Sequence, residues 1–176
     1  YTVNADEPKV IYEDNTLTVE TIILEHRLPT TGFLFREKKN LRKIIAEKIA
    51  EHNIPYHKIN DIKKGEDFVT NDGKKILNAE LTANPDAPRS YAYCSDTIST
   101  ESFIEQISGV NTLYHEATFI HEHEARAKET FHTTTKQAAR LAQKANAGKL
   151  LIGHFSARYE DLNFLLNESR EVFAET

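Results

Sequence analysis

Four side chains that could hold a metal or move a proton stand at the ends of apolar runs. His26 ends TIILE-H-R, Asp96 follows AYCS, His115 closes NTLY-H-E, and His154 ends LLIG-H-F. In α/β sheets substrates bind where strand ends and their loops converge. A buried imidazole or carboxylate without a partner is costly, so four together imply shared partners or a metal. Any one histidine after a strand is ordinarily a hydrogen-bonded structural residue; the set of His26, Asp96, His115 and His154 is what points to a shared polar site. No HxH, HExxH or CxxC spacing occurs among these four. His121 and His123 of FIHEHEAR are expected on an exposed loop or helix start, outside any site. His132, in FHTTTKQAA, precedes a helix whose cap is one of three threonines. A helix N-terminus favours negative charge, and an imidazolium beside it could stabilise a phosphorane or protonate a leaving oxygen. The plainer reading is a capping box, Thr134-x-x-Gln137, with a bystander histidine.

These residues need strands to carry them. Residues 17–24 (LTVETIIL) alternate β-branched residues and read as a strand, and 32–37 read as a second. Asn40 is placed to cap a helix through residue 52, with Leu41, Ile44, Ile45 and Ile49 at helical spacing and Pro55 as its stop. Asp72-Gly73 marks a hairpin turn. From residue 90 strands alternate with helices: strands at 90–95, 110–118 and 149–156, and helices at 100–108, 122–130, 134–147 and 159–173. The fold class is therefore α/β. Residues 37–88, polar and turn-rich, read as an insertion projecting from a core made of 1–36 and 89–176.

The 176 residues are 39% hydrophobic and 28% charged, enough for a domain with a real core. No apolar run is long enough to span a membrane, and YTVNADEPKV has no secretory pattern. One cysteine, Cys94, excludes an internal disulfide and fits a reducing cytoplasmic setting. The sequence starts at Tyr1 and contains no Met, so a fragment of a longer protein is expected. Net charge is −5, yet residues 36–64 carry nine Lys/Arg against four acids, a local excess of five positive charges. A basic block on an acidic body is an electrostatic footprint for an anion. Its ordinary reading is a solvated helix face with pairs such as Lys43 with Glu47.

Read in order, the motifs resemble ribonuclease Z, a tRNA 3′-processing endoribonuclease family. His115-Glu116-Ala117-Thr118 resembles its HEAT motif, and His132-Thr133-Thr134 its HST motif. Residues 152–159 (IGHFSARY) resemble its LTHxSxRY segment, Ser95-Asp96-Thr97 its GDT, and residues 25–33 (EHRLPTTGF) its H-x-x-P-x-x-G-Y/F segment. Order and spacing agree along nearly the whole chain. The resemblance implies half of a metallo-β-lactamase αββα sandwich, with 37–88 as the flexible arm that grips tRNA. It implies two zinc ions in the intact enzyme, with Asp96 bridging them and His26 and His154 each binding one. It also implies a catalytic set of His132, His115 and Glu116, the two histidines beside the scissile phosphate. Lys38, Lys39, Arg42, Lys43, Lys63 and Lys64 would contact RNA phosphates, a shape being read and not a base sequence.

Departures narrow the expectation. The arm's Gly-Pro motif is absent; residues 52–57 read HNIPYH. The H-x-H-x-D-H metal motif is absent too and is expected upstream, so the chain alone should be inactive toward precursor tRNA. Alternatives are a non-catalytic fragment and a general zinc phosphodiesterase of the same fold. A half-sandwich leaves an uncovered apolar face, so a homodimer is expected.

Overall fold

A computed structural model describes residues 6–176. In chain order the strands are β1 (Val10–Glu13), β2 (Leu17–Leu24), β3 (Thr30–Glu37), β4 (Lys43–Ile44), β5 (Phe68–Val69), β6 (Lys75–Ile76), β7 (Thr82–Ala83), β8 (Ser90–Cys94), β9 (Thr112–Glu116) and β10 (Leu150–Gly153). The helices are α1 (Ala46–Glu51), α2 (Ile59–Lys64), α3 (Asn78–Leu81), α4 (Glu124–Thr130), α5 (Thr135–Lys144) and α6 (Leu162–Arg170). The chain divides into two compact units. One comprises the residues up to Glu37 together with Arg89–Thr176, the other Lys38–Pro88.

The larger unit is built on one six-stranded sheet in the order β1-β2-β3-β8-β9-β10. β1 to β8 pair antiparallel in that order, whereas β8, β9 and β10 pair parallel. β2, β8, β9 and β10 therefore run the same way, and their C-terminal ends share one edge of the sheet. The alternation of a strand sends Ile22, Leu24, Leu34, Ala92, Leu113 and Leu150 to one face, where they form the core with Ala139, Ala142 and Phe103. Each such fully buried leucine or isoleucine contributes about 1.5–3 kcal/mol relative to exposure. α5 buries Ala138, Ala139, Leu141 and Ala142 on one stripe, and Thr134 closes its start with a complete capping box to Gln137.

The opposite face carries a row of register partners, Phe33, Tyr93, Tyr114 and Leu151. Tyr93 and Tyr114 stack with centroids 4.7 Å apart. Tyr93 and Leu151 remain exposed. Gly153 belongs to the same arrangement. A Cβ there would lie 2.9 Å from the Tyr114 ring, so any larger residue would displace it.

The smaller unit has its own core of Ile54, Ile62, Phe68, Ile76 and Leu81, flanked by Ile44, Ile49 and Ile59. Two two-stranded ribbons, β4-β7 and β5-β6, complete it. The β5-β6 turn contains Gly73 at φ +84°, where the sequence placed the hairpin.

Three local expectations are corrected. The helix over 40–52 is only α1; before it, Lys43 and Ile44 pair with β7 and the Arg42 side chain is held by Thr82 and Asn84. Strand pairing overrode the helical spacing, and Leu41 stays exposed. Residues 100–108 form successive turns and not a helix, while Phe103 and Ile107 still reach the core. Finally, the stretch before residue 17, to which no element was assigned, contains β1, paired with β2. Residues 1–5 of that segment lie outside the described residues.

Candidate functional site

The shared edge of the larger unit collects the polar residues. Glu116 ends β9, His154 directly follows β10, and His26 and Asp96 lie two residues beyond β2 and β8. Asp96, His132 and His154 each offer a ligand atom, all within 4.8 Å of one another. His26 lies alongside, its ring centroid 5.4 Å from that of His132, which is itself 5.3 Å from that of His154. Asp96, Phe131 and His154 all have left-handed backbones, φ +56°, +60° and +59°. Non-glycine residues adopt that conformation at a cost, and such residues concentrate at functional sites.

Glu116 organises the group. Its carboxylate is fully buried and accepts from the Thr97 amide at 2.6 Å, the Thr133 amide at 3.1 Å and the Thr118 hydroxyl at 2.7 Å. It also accepts from His132 Nδ1 at 2.9 Å. Four donors from three segments make this buried charge tolerable. The amide of Thr133 reaches it because His132 and Thr133 sit just ahead of the Thr134 cap of α5.

These bonds also set the chemistry of the rings. His132 Nδ1 faces a carboxylate and must donate, leaving Nε2 as the lone-pair nitrogen of the neutral ring. His26 Nδ1 lies 3.0 Å from the Phe131 carbonyl and must likewise donate. His154 Nε2 lies 3.1 Å from Asp96 Oδ1, at a position 40–46% exposed. His132 and His154 thus bring ring nitrogens within ligand distance of the Asp96 carboxylate, with His26 outside that group, and nitrogen and carboxylate donors of this kind suit a zinc-type site. The residues present therefore fit a metal ion.

His115 stands apart. Its neighbour Glu116 points to one side of the strand and His115 to the other. Its ring is fully buried against Phe103 at 6.2 Å, with Nδ1 donating to the Glu116 carbonyl at 2.8 Å. Burial pushes its pKa down, which keeps the ring neutral. Nε2 has no partner among the described residues. The expectation of a histidine beside the phosphate thus meets a residue packed into the core, while Glu116 is the member of that pair that reaches the cluster. His121 and His123 form a helical turn leading into α4, and His123 Nδ1 lies 3.0 Å from the Tyr159 hydroxyl.

Sequence reasoning missed Thr97, Thr118 and Phe131. The hydroxyl of Thr97 accepts from the Glu25 amide at 3.2 Å, tying the end of β2 to the loop after β8. Thr97 and Thr118 were visible only as letters of motifs, and Phe131 carried no signal, because its part is played by a backbone carbonyl.

In the smaller unit, the basic residues divide. The Arg42 guanidinium bonds Thr82 Oγ1 and Asn84 Oδ1, both at 2.7 Å, and Lys43 pairs with Asp86 at 2.7 Å, not with Glu47. Lys39, Lys63 and Lys64 line a cavity of about 630 Å³, and their ammonium groups make no bond among the described residues.

No protein-family model matches the chain. It is 51% identical over 170 residues to a protein named ribonuclease Z from Bacteroides fragilis, covering 97% of this chain and 56% of that one. A ribonuclease Z from Porphyromonas gingivalis is 46% identical over 176 residues, all of this chain and 58% of the relative. The chain thus spans little more than half the length of the curated relatives it matches. Among solved structures, the metallo-β-lactamase fold protein YhfI of Bacillus subtilis superposes with a TM-score of 0.59 at 15% identity, over 98% of this chain and 49% of that one. The short form of human tRNase Z gives 0.52 at 19% identity, over 85% and 39%. The fold is that of the metallo-β-lactamase proteins.

Proposed function

We propose that this chain, a member of the ribonuclease Z family by its sequence, supplies part of the active site and the RNA-gripping arm of a zinc-dependent endoribonuclease that removes the 3′ trailer of precursor tRNA. The observation that carries this reading is the convergence of Asp96, His132 and His154 beside the buried Glu116.

The reaction is hydrolysis of a phosphodiester: a water oxygen bonds to phosphorus, the bond to the leaving oxygen breaks, and that oxygen takes a proton. His132, in its imidazolium form with a second proton on Nε2, is placed to supply the proton. Glu116 orients its ring through Nδ1 and stabilises the imidazolium electrostatically, as a buried carboxylate does for a catalytic histidine. His26, Asp96 and His154 would hold the metal ions together with ligands from elsewhere in the protein. Bound there, zinc would polarise the phosphoryl oxygens and balance the charge that builds on them. The 176-residue sequence has no H-x-H-x-D-H run, so it does not turn over alone.

Lys38, Lys39, Arg42, Lys43, Lys63 and Lys64 form the basic surface of the arm, with Lys39, Lys63 and Lys64 as the direct phosphate contacts. The row of Phe33, Tyr93, Tyr114 and Leu151 supports self-association as a homodimer, and a monodisperse monomer in light scattering would contradict that. No helix among the described residues is long and apolar enough to cross a membrane. A reducing cytoplasm, with Cys94 buried as a thiol, is the compartment this reading assigns.

The test is cleavage of precursor tRNA by the full-length protein and its His154→Ala variant. Loss of cleavage in the variant is expected, and unchanged cleavage overturns the assignment. Equal turnover of a small phosphodiester and precursor tRNA, unaffected by deleting 38–64, would instead indicate a general phosphodiesterase.

A further inference from the structure

Thr118 lies between two parts of the site that chemistry otherwise keeps separate. Its hydroxyl is 2.7 Å from Glu116 Oε2, 2.9 Å from the His154 carbonyl and 2.9 Å from His154 Nδ1. A hydroxyl has one proton to give and lone pairs to receive with. Three neighbours could take that proton, and they are unequal. The carboxylate is charged and nearest, and hydrogen bonds to ionised acceptors are roughly twice as strong as neutral ones. The carbonyl is neutral, and so is the ring nitrogen. Once the proton goes to Glu116, Thr118 Oγ1 can only accept from His154, so Nδ1 must carry hydrogen. Should the proton rest on the carbonyl instead, Nδ1 must still donate. Only a proton directed at the ring itself gives the other tautomer, and that arrangement forgoes the carboxylate.

We infer that Thr118 is a positioning residue that fixes His154 in its Nδ1–H tautomer and hands the anchoring of that ring to Glu116. One buried carboxylate then holds two imidazoles: His132 directly, and His154 through the threonine. The consequence is directional. His154 Nε2 is left with its lone pair facing Asp96 Oδ1 at 3.1 Å. Two lone pairs so close repel each other, and a metal ion between them would turn that repulsion into attraction, so the relay prepares this nitrogen for a cation. Thr118 itself is 6% exposed, so water cannot replace its hydroxyl cheaply. The tautomer assignment rests on hydrogen-bond geometry alone, whereas its use in catalysis rests on the function proposed above.

The experiment is a long-range proton–nitrogen correlation of the histidine rings in the ¹⁵N-histidine-labelled 176-residue chain, at a pH of about 8, above the ordinary histidine range. Wild type and Thr118→Ser should show His154 protonated at Nδ1. Thr118→Val, of matching shape but without the hydroxyl, should lose that preference. Zinc affinity should fall by about 10–100-fold in the valine variant and stay near wild type in the serine variant. His154 protonated at Nε2 in wild type, or an unchanged tautomer in Thr118→Val, would overturn the inference. If the valine variant does not fold, the wild-type spectrum decides by itself. A tautomer shift in Thr118→Val, together with full-length protein whose precursor tRNA cleavage survives His154→Ala, would leave the relay standing and remove the proposed function.

Discussion

The two units treat their charged groups in opposite ways. At the strand ends of the larger unit, the rings of His26, His132 and His154 are each held at Nδ1 by a carbonyl, a carboxylate or a hydroxyl, and the carboxylate of Glu116 is fully buried. In the smaller unit, Arg42 and Lys43 are held by Thr82, Asn84 and Asp86, but Lys39, Lys63 and Lys64 line a basic hollow without partners among the described residues. Fixed geometry suits a site that must place atoms to within a fraction of an ångström. Unfixed ammonium groups suit contact with a phosphate backbone, where charge matters more than direction. The difference separates residues expected to set a rate from residues expected to set an affinity.

The sharpest way to break this contrast is Glu116→Ala. It leaves two amides, a hydroxyl and His132 without their buried acceptor, and should cost about 3–5 kcal/mol in urea unfolding of the chain. A loss below about 1 kcal/mol would show that the carboxylate does not organise the site. Next in size, replacing Lys39, Lys63 and Lys64 together by Ala should weaken precursor tRNA binding and lower the salt-dependence slope by about 3, with unfolding unchanged. Arg42→Ala should do the reverse, costing about 1–2 kcal/mol of stability while moving the slope less than the lysine triple does. Equal slopes for the two variants would erase the distinction drawn within the basic unit.

A smaller effect concerns His115. Its pKa is lowered in the folded state from an ordinary value of 6.5, so the unfolded chain binds the proton more readily. The stability this neutral ring permits is therefore complete above pH 6.5 and falls as pH drops below that value toward the folded pKa. His115→Leu should flatten the stability–pH curve in that window, and an unaltered curve would contradict the burial argument. Smallest of all, Thr134→Ala should cost about 1 kcal/mol through loss of the α5 capping box.

Much of this was legible in the residues. The β-branched alternation of 17–24, the Asp72-Gly73 turn and the Thr134 cap all appear where local chemistry put them. So does the rule that Asp96 and His154 sit just past parallel strands. What was not legible depended on partners distant in sequence. Residues 40–52 have helical spacing, yet β7, some forty residues onward, recruits Lys43 and Ile44 into a ribbon. At 100–108, where a helix was expected, the chain forms turns that still carry Phe103 and Ile107 into the core. His115 and Glu116 are adjacent letters, and only strand alternation decides which enters the site. The role of Phe131 lies in its carbonyl, which no side-chain pattern encodes.

The central claim is that Asp96 and the imidazoles around it form a metal-binding group within this chain. Its most direct test is zinc titration of the purified 176-residue protein against a chromophoric chelator, beside Asp96→Ala and His115→Ala. Saturable binding that is lost in Asp96→Ala and retained in His115→Ala is the predicted result. No zinc uptake by the wild-type chain, or uptake equal in Asp96→Ala, would contradict it.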